Sequence, residues 1–155
     1  MAIDLIGSQP PAIHQPRDFI EAAADQNGVP YELLRRIAHV ESAGDPTALS
    51  SAGAQGMFQV MPNTARSLGY SPADMYNPAL AAQAAAKYMR QLYEQFGDWD
   101  HAVQAYNAGP TRFSEYKEKG RPLPKETKRY LEKIKGLTSL PMSGPGLTDA
   151  YKRGK

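Results

Sequence analysis

One glutamate beside an apolar helical stripe is the residue of this sequence best suited to acid–base chemistry. Glu41 lies in the segment HVESAG, residues 39–44. At about 100° per residue along a helix, Glu41 falls nearly in line with Leu34, and Ile37 lies on the same apolar stripe. Arg35 points elsewhere. Burial disfavours a charged carboxyl and raises its pKa. A carboxylic acid that stays protonated near neutral pH can act as the general acid in glycoside cleavage. A solvated glutamate at a helix edge is the alternative that this segment leaves open.

Two further segments could bring ligand-binding groups to the same place. The segment GAQGMFQVMPNTA, residues 53–65, is a turn bracketed by glycines, which lets the backbone and Gln59 approach a ligand closely. The segment AYNAG, residues 105–109, puts Tyr106 and Asn107 at a helix end, where aromatic and amide groups can reach a cleft. A plain structural turn and a plain helix stop are the alternatives for these two segments.

The last predicted helix carries a third segment of this kind and an excess of positive charge. In ETKRY, residues 126–130, Glu126 and Tyr130 are four apart and lie on one helix face. Between Lys117 and Lys135 there are eight Lys or Arg residues against three Glu residues. Such a strip could help an acidic substrate to dock, and a solvated helix face is the alternative.

Helix starts, helix stops and apolar spacing indicate the elements that must position these groups. Capping residues and prolines mark the starts, and glycines mark most of the stops, with Gly44 predicted to end the second helix. The segment between residues 44 and 61 is rich in glycine and small polar residues, and forms at most a small β-hairpin. The predicted fold is therefore mainly α. The predicted helices span residues 17–27, 30–42, 62–68, 78–96, 99–108, 110–119 and 125–135.

Length and composition predict one globular domain with loose ends. The chain has 155 residues, of which 41% are hydrophobic and 22% charged. The first 16 residues contain three prolines and show no clear periodicity, and the C-terminal segment is rich in Pro, Gly and Ser. We expect a lead-in over residues 1–16, a domain over 17–137 and a flexible tail over 138–155.

Charge, cysteine content and hydropathy limit the classes of partner. A net charge of +2 does not indicate nucleic-acid binding, and the absence of cysteine excludes disulfides and thiolate metal sites. No apolar run approaches the roughly 20 residues of a membrane helix. No His, Asp or Glu cluster has metal-ligand spacing, so neither a metal nor another cofactor is expected. The N-terminal residues lack the features of a signal peptide.

Taken in order, the motifs resemble the soluble lytic transglycosylase family of the lysozyme superfamily. The family pattern is Glu-Ser, then Gly-Leu-Met-Gln before a Met-Pro helix, then Ala-Tyr-Asn-Ala-Gly, then Glu-Thr-x-x-Tyr. The resemblance implies a lysozyme-like single domain that cleaves peptidoglycan between N-acetylmuramic acid and N-acetylglucosamine. The matching segments are ES at 41–42, GMFQVMP at 56–62, AYNAG at 105–109 and ETKRY at 126–130.

The resemblance also implies a role for each motif residue. Glu41 would protonate the leaving oxygen and then accept a proton from the muramoyl 6-hydroxyl, which closes a 1,6-anhydro ring without a second carboxylate or a metal. Tyr130 would hydrogen-bond the Glu41 carboxyl. Met57-Phe58 stands where the family has Leu-Met, so Phe58 is expected to reshape a sugar subsite. The other residues with implied roles in the substrate cleft are Ser42, Ser50, Gln59, Tyr106, Asn107 and Glu126.

Two other functions remain open at the level of sequence. A goose-type lysozyme of the same fold would hydrolyse the bond and would need a second acid, for which Asp45, Asp98 and Asp100 are candidates. A non-catalytic cell-wall-binding or virion structural module is disfavoured because Glu41 is present. The expected partner is the glycan strand of peptidoglycan, and the expected state is a monomer.

The small size and the missing leader favour a delivered cell-wall enzyme. We expect action on periplasmic or cell-wall peptidoglycan as a bacteriophage lysin (endolysin) or virion component. A component of a secretion or conjugation apparatus is the alternative.

Overall fold

The computed structural model describes residues 17–136, which form a mainly α-helical fold as predicted. These residues include no β-strand, and residues 43–61 carry only two isolated bridges, Leu49 with Gln55 and Gln55 with Val60. The predicted lead-in 1–16 and tail 138–155 lie outside the described residues. The helices are α1 Phe19–Asn27, α2 Tyr31–Ser42, α3 Pro62–Ser67, a 3₁₀ helix Pro72–Tyr76, α4 Pro78–Phe96, α5 Trp99–Ala108, α6 Pro110–Lys119 and α7 Lys125–Gly136.

The structure corrects the start of one predicted helix and the capping residue of another. Helix α1 begins at Phe19 because the Asp18 side chain accepts a hydrogen bond from the Glu21 N–H at 2.9 Å and caps it. Helix α2 ends at Ser42 as predicted, but the residue that caps it is Ala43, which adopts the left-handed conformation at φ 55°, and not Gly44. The 3₁₀ helix was not predicted from the sequence.

Helix α4 forms the centre of the core. Its apolar residues at three- and four-residue spacing are buried, as the sequence predicts, and include Ala82, Ala85, Met89 and Leu92. Small alanine side chains let neighbouring helices approach closely, and α1, α2, α5 and the 3₁₀ helix all contact α4. No helix within residues 17–136 combines the length and apolarity needed to span a bilayer.

Helix α7 brings the site together by packing against both α5 and α2. The α2 C-terminus carries Glu41, the α5 C-terminus carries Tyr106 and Asn107, and α7 carries Glu126 and Tyr130. Three motifs that are far apart in the chain therefore meet because of helix packing.

Arg35 departs from the expected pattern of α2. It was predicted to point away from the buried stripe, but its side chain is fully buried. An Nη2 atom lies 2.6 Å from a Glu32 carboxylate oxygen, and the guanidinium carbon lies 5.3 Å from the centroid of the Tyr31 ring. The prediction was wrong because a buried charge is tolerated where it is paired.

Gly56 allows the loop between α2 and α3 to pack closely against the 3₁₀ helix. Its φ is +78°, and a Cβ atom at this position would lie 1.8 Å from the Met75 carbonyl oxygen. Its N–H donates to the Ala48 carbonyl at 2.7 Å. The loop can approach the 3₁₀ helix this closely only because this residue has no side chain.

Candidate active site

Glu41 lies half-buried in the last turn of α2 and faces an open cleft. It lines two cavities, of about 240 Å³ and about 280 Å³. The pKa of Glu41 is raised to about 7, mainly because burial disfavours the charged carboxylate. The Tyr130 hydroxyl partly offsets this rise by stabilising the carboxylate, and the nearby Glu126 carboxylate adds a smaller rise. The carboxyl can therefore donate a proton near neutral pH and accept one afterwards.

The cleft continues on both sides of Glu41. A third cavity of about 210 Å³ shares Gln59 and Tyr106 with the cavity of about 280 Å³. Asn107 lines all three cavities. The three cavities are therefore neighbours, and together they can hold an extended ligand that passes the Glu41 carboxyl.

Tyr130 is a buried residue beside the Glu41 carboxyl. Burial, the Glu41 charge and the neighbouring Tyr106 raise the pKa of the Tyr130 hydroxyl well above its usual value, so it stays a proton donor. The hydroxyl oxygen is inaccessible to solvent, yet it completes no hydrogen bond of standard geometry with another described residue. It is close enough to lower the pKa of Glu41 as a hydrogen-bond donor, so it can orient that carboxyl.

Replacement of Tyr130 by phenylalanine is expected to slow catalysis more than it weakens binding. The hydroxyl acts on the acid and not on the sugar, so kcat should fall about tenfold or more while KM changes little. Steady-state kinetics on soluble glycan strands measure both quantities. An unchanged kcat would exclude Tyr130 from the proton transfer.

Tyr106 joins the cleft to the loop between α2 and α3. Its hydroxyl donates to the Phe58 carbonyl at 2.8 Å, and its ring lies 5.4 Å from the Tyr88 ring, centroid to centroid. The Phe58 side chain itself is fully buried and lines none of the three cavities. The expectation that Phe58 contacts a sugar is therefore corrected: its side chain packs in the core, and its carbonyl positions Tyr106.

The amide oxygen of Asn107 is engaged within the protein, whereas its NH₂ group can bind a ligand. The hydroxyl of Thr127, a buried residue of α7, donates to Asn107 Oδ1 at 2.8 Å. This bond fixes the orientation of the amide and engages its oxygen, and Asn107 lines all three cavities. Asn107 can therefore donate hydrogen bonds to an acetamido or hydroxyl oxygen.

Gln59 and Ser50 line the cavity of about 280 Å³. Gln59 has a φ of +52°, a conformation that residues other than glycine seldom adopt and that is often found at functional sites. Its Nε2 donates to the Gly56 carbonyl at 2.9 Å, which leaves the amide oxygen as a possible acceptor for substrate. Ser50 Oγ accepts from the Ala54 N–H at 2.9 Å and thereby holds the tip of the loop.

Ser42, predicted as a substrate-binding residue, is occupied within the protein. Its hydroxyl donates to the Met57 carbonyl at 2.7 Å and accepts from the Asp45 N–H at 3.0 Å. It lines none of the three cavities. This geometry supports a role in attaching the loop to α2 beside the acid, in place of contact with substrate.

None of the three aspartates considered as a second acid lines these cavities. Asp45 accepts from the Thr47 N–H and hydroxyl, Asp98 caps α5, and Asp100 pairs with Lys135 at 2.8 Å. Glu126 is the other carboxyl beside Glu41 in the cleft, and it is exposed on α7.

Four residues with polar side chains line the cleft but were not singled out individually from the sequence. Thr64 and Tyr88 line the cavity of about 210 Å³, and Arg129 and Lys133 line the cavity of about 240 Å³. Tyr88 follows Ala85 by three residues on α4, and Arg129 follows Glu126 by three on α7. Helical spacing from residues already singled out was the signal that could have found these two.

The helical domain, with the Glu41 carboxyl of raised pKa in an open cleft, has the features of the lysozyme-like class. More specifically, the family model described as the transglycosylase SLT domain matches residues 18–128, and the chain belongs to this family. The recognition and the fold class inferred from the motifs are thereby confirmed.

Similar proteins come from both bacteriophages and bacteria. The chain is 38% identical over 144 residues to the peptidoglycan transglycosylase gp16 of Escherichia phage T7, covering 83% of this chain and 11% of that protein. It is 33% identical over 138 residues to the membrane-bound lytic murein transglycosylase D of Escherichia coli strain K12, covering 79% and 30%.

A solved structure shows the same fold. The 70 kDa soluble lytic transglycosylase of Escherichia coli superposes with a TM-score of 0.67 at 29% identity, over 76% of this chain and 22% of that one. In each of these three comparisons the chain spans less than a third of the relative's length.

Proposed function

We propose that this chain is a peptidoglycan lytic transglycosylase, which cleaves the β-1,4 bond between N-acetylmuramic acid and N-acetylglucosamine. The single observation that carries the proposal is the Glu41 carboxyl, half-buried in the cleft with a pKa of about 7. Membership of the transglycosylase SLT domain family supports it, as does its similarity to phage and bacterial transglycosylases. A purely structural module has no need of an acid with this pKa.

The reaction needs two proton transfers, and one carboxyl can perform both. Protonated Glu41 donates to the oxygen that links the sugars, and the bond from that oxygen to the muramoyl C1 breaks. The resulting carboxylate accepts the proton of the muramoyl 6-hydroxyl as that oxygen bonds to C1 and closes the 1,6-anhydro ring. The hydroxyl belongs to the same sugar, so its effective concentration is high.

Hydrolysis is the alternative reaction, and the position of Glu126 is the observation that favours it. Glu126 lines the same two cavities as Glu41, where a base could position water. Its exposure on α7 argues against that role, because a water-activating carboxylate must be held at a fixed distance from the acid. The positions of Asp45, Asp98 and Asp100 away from these cavities further disfavour the lysozyme reaction.

The product distinguishes the two reactions. Digested peptidoglycan is expected to contain 1,6-anhydromuramoyl ends, so each muropeptide should be about one water lighter than the product of a lysozyme. Mass spectrometry after digestion in ¹⁸O-labelled water measures both the mass and the source of oxygen. Label in new reducing ends would favour the hydrolase, and Glu126→Gln would then be expected to abolish the labelling.

Its site of action would be the peptidoglycan of a bacterial cell wall. The T7 relative, together with a second phage relative, the transglycosylase of Enterobacteria phage PRD1, favours delivery as a phage lysin or virion component. Delivery by a secretion or conjugation apparatus is the alternative. We propose that the chain acts as a monomer, which light scattering on the eluted peak of a size-exclusion column would test.

A further inference from the structure

Two basic side chains line the cleft on the α7 side of the acid. Arg129 and Lys133 are four residues apart on α7 and line the cavity of about 240 Å³ together with Glu41 and Tyr130. Both side chains are exposed to solvent. Their charged groups can therefore reach a ligand in this cavity at little cost in desolvation.

These two cations are unpaired among the described residues, whereas neighbouring ones are paired. Neither the Arg129 side chain nor the Lys133 side chain forms an ion pair or hydrogen bond with another residue of 17–136. By contrast, Lys135 pairs with Asp100 at 2.8 Å, and Arg121 pairs with Glu115 at 2.7 Å. The free cations of α7 thus include the two that line the cleft, where a ligand could supply the missing anion.

The charge balance of this cavity favours an anionic group. Arg129 and Lys133 contribute two positive charges, and Glu126 contributes one negative charge. Glu41 must be protonated to act as an acid, and in that form it adds no charge. The cavity therefore carries a net positive charge when the site is ready to react, and it attracts an anion placed beside the scissile bond.

We infer that Arg129 and Lys133 form a carboxylate subsite for the peptide stem of the muramoyl residue that is cleaved. The inference rests on the proposed function, because Glu41 acts at C1 of the muramoyl sugar and the stem is attached at C3 of the same ring. The planar guanidinium of Arg129 suits a carboxylate, which it can bind with two parallel hydrogen bonds. Lys133, one helical turn further along, adds a flexible second donor. The subsite makes the enzyme prefer strands that still carry their peptides.

A cleavage experiment with two substrates tests this preference. Intact glycan strands are compared with strands from which an amidase has removed the stems, and the readout is the ratio of the two kcat/KM values. The double variant Arg129→Gln/Lys133→Gln is expected to lower this ratio about five- to tenfold, since two exposed ion pairs are lost. The matched control Lys125→Gln/Lys128→Gln removes two charges from the same helix outside the three cavities and should keep the wild-type ratio.

A binding experiment separates this inference from the proposed reaction. In a Glu41→Gln background, the Kd of a soluble disaccharide–tripeptide is compared with that of its carboxyl-amidated form. We expect the amidated ligand to bind about five- to tenfold more weakly, and Arg129→Gln/Lys133→Gln to remove the difference. Suppose that the acidic ligand binds more tightly than the amidated one, but the wild type does not cleave peptidoglycan. That result would support the subsite and overturn the proposed reaction.

Three results would overturn the subsite while leaving the reaction standing. The first is cleavage by the wild type with equal affinity for the acidic and amidated ligands. The second is an unchanged kcat/KM ratio in Arg129→Gln/Lys133→Gln. The third is an equal fall of that ratio in Lys125→Gln/Lys128→Gln, which would mean that general attraction by α7 is responsible.

Discussion

Replacement of Glu41 by glutamine is expected to lower the rate of peptidoglycan cleavage by about 10²–10⁴-fold. The amide has nearly the same shape as the carboxyl, but it can neither donate nor accept the proton that the reaction transfers. Turbidity loss of purified peptidoglycan measures the rate. Wild-type activity should itself decline as the pH rises through about 7, because burial raises the pKa of Glu41 to about 7 and the acid is lost above it.

The same substitution should leave the fold intact and change how stability depends on pH. In the folded wild type the Glu41 carboxyl stays protonated up to about pH 7, whereas in the unfolded chain it ionises above about pH 4.3. Between these values the unfolded state binds fewer protons, so the wild type loses stability as pH rises. The variant lacks this titration. Across that window its free energy of unfolding should therefore rise by about 3–4 kcal/mol relative to that of the wild type.

Urea unfolding at pH 4, 5.5 and 7.5 measures this difference. Glu94→Gln is a matched control, because Glu94 is exposed, pairs with Arg90 at 3.0 Å and lies outside the three cavities. It should keep the wild-type rate. The assignment of Glu41 as the acid would not survive if Glu41→Gln retained more than about a tenth of the wild-type rate.

Replacement of Gly56 by alanine is expected to cost about 2–5 kcal/mol in the free energy of unfolding. A φ of +78° strains any residue with a Cβ, and that Cβ would meet the Met75 carbonyl oxygen at 1.8 Å. Backbone on both sides must move to relieve the clash. The loop that carries Gln59 and Ser50 would shift away from the cleft, so activity should fall as well.

Gly69→Ala separates backbone strain from the clash. Gly69 has a similarly positive φ of +94°, but no heavy atom lies within 4 Å of the position of its Cβ. We expect it to lose only the strain energy, about 1 kcal/mol, with activity unchanged. Equal losses of stability in the two variants would show that the loop does not depend on close packing against the 3₁₀ helix.

Much of the helical architecture follows from local sequence. Helices α4, α5 and α6 lie where Pro78, Asp98 and Pro110 predict their starts, and they end before glycines as expected. Capping and the spacing of apolar residues act within one or two turns, so they are visible without the tertiary structure. The order of the four motifs likewise indicated the family before any packing was known.

The loop between α2 and α3 could not be predicted in the same way. Its conformation depends on the Met75 carbonyl opposite Gly56, on Ser42 bonding the Met57 carbonyl and on Tyr106 bonding the Phe58 carbonyl. Each partner comes from another element. The sequence shows that Phe58 is aromatic, but only these contacts decide that it is buried in the core.

By itself, the sequence determined that Glu41 ends a helix with a partly apolar face and that Tyr106, Asn107, Glu126 and Tyr130 stand at helix positions able to support it. Only the tertiary structure decided that the acid has a pKa of about 7 and that Asn107 lines every part of the cleft. The physical reason is that desolvation and charge act through space. The pKa of Glu41 depends on Tyr130 and Glu126 of helix α7, which the chain forms far from α2 and brings beside it only by packing.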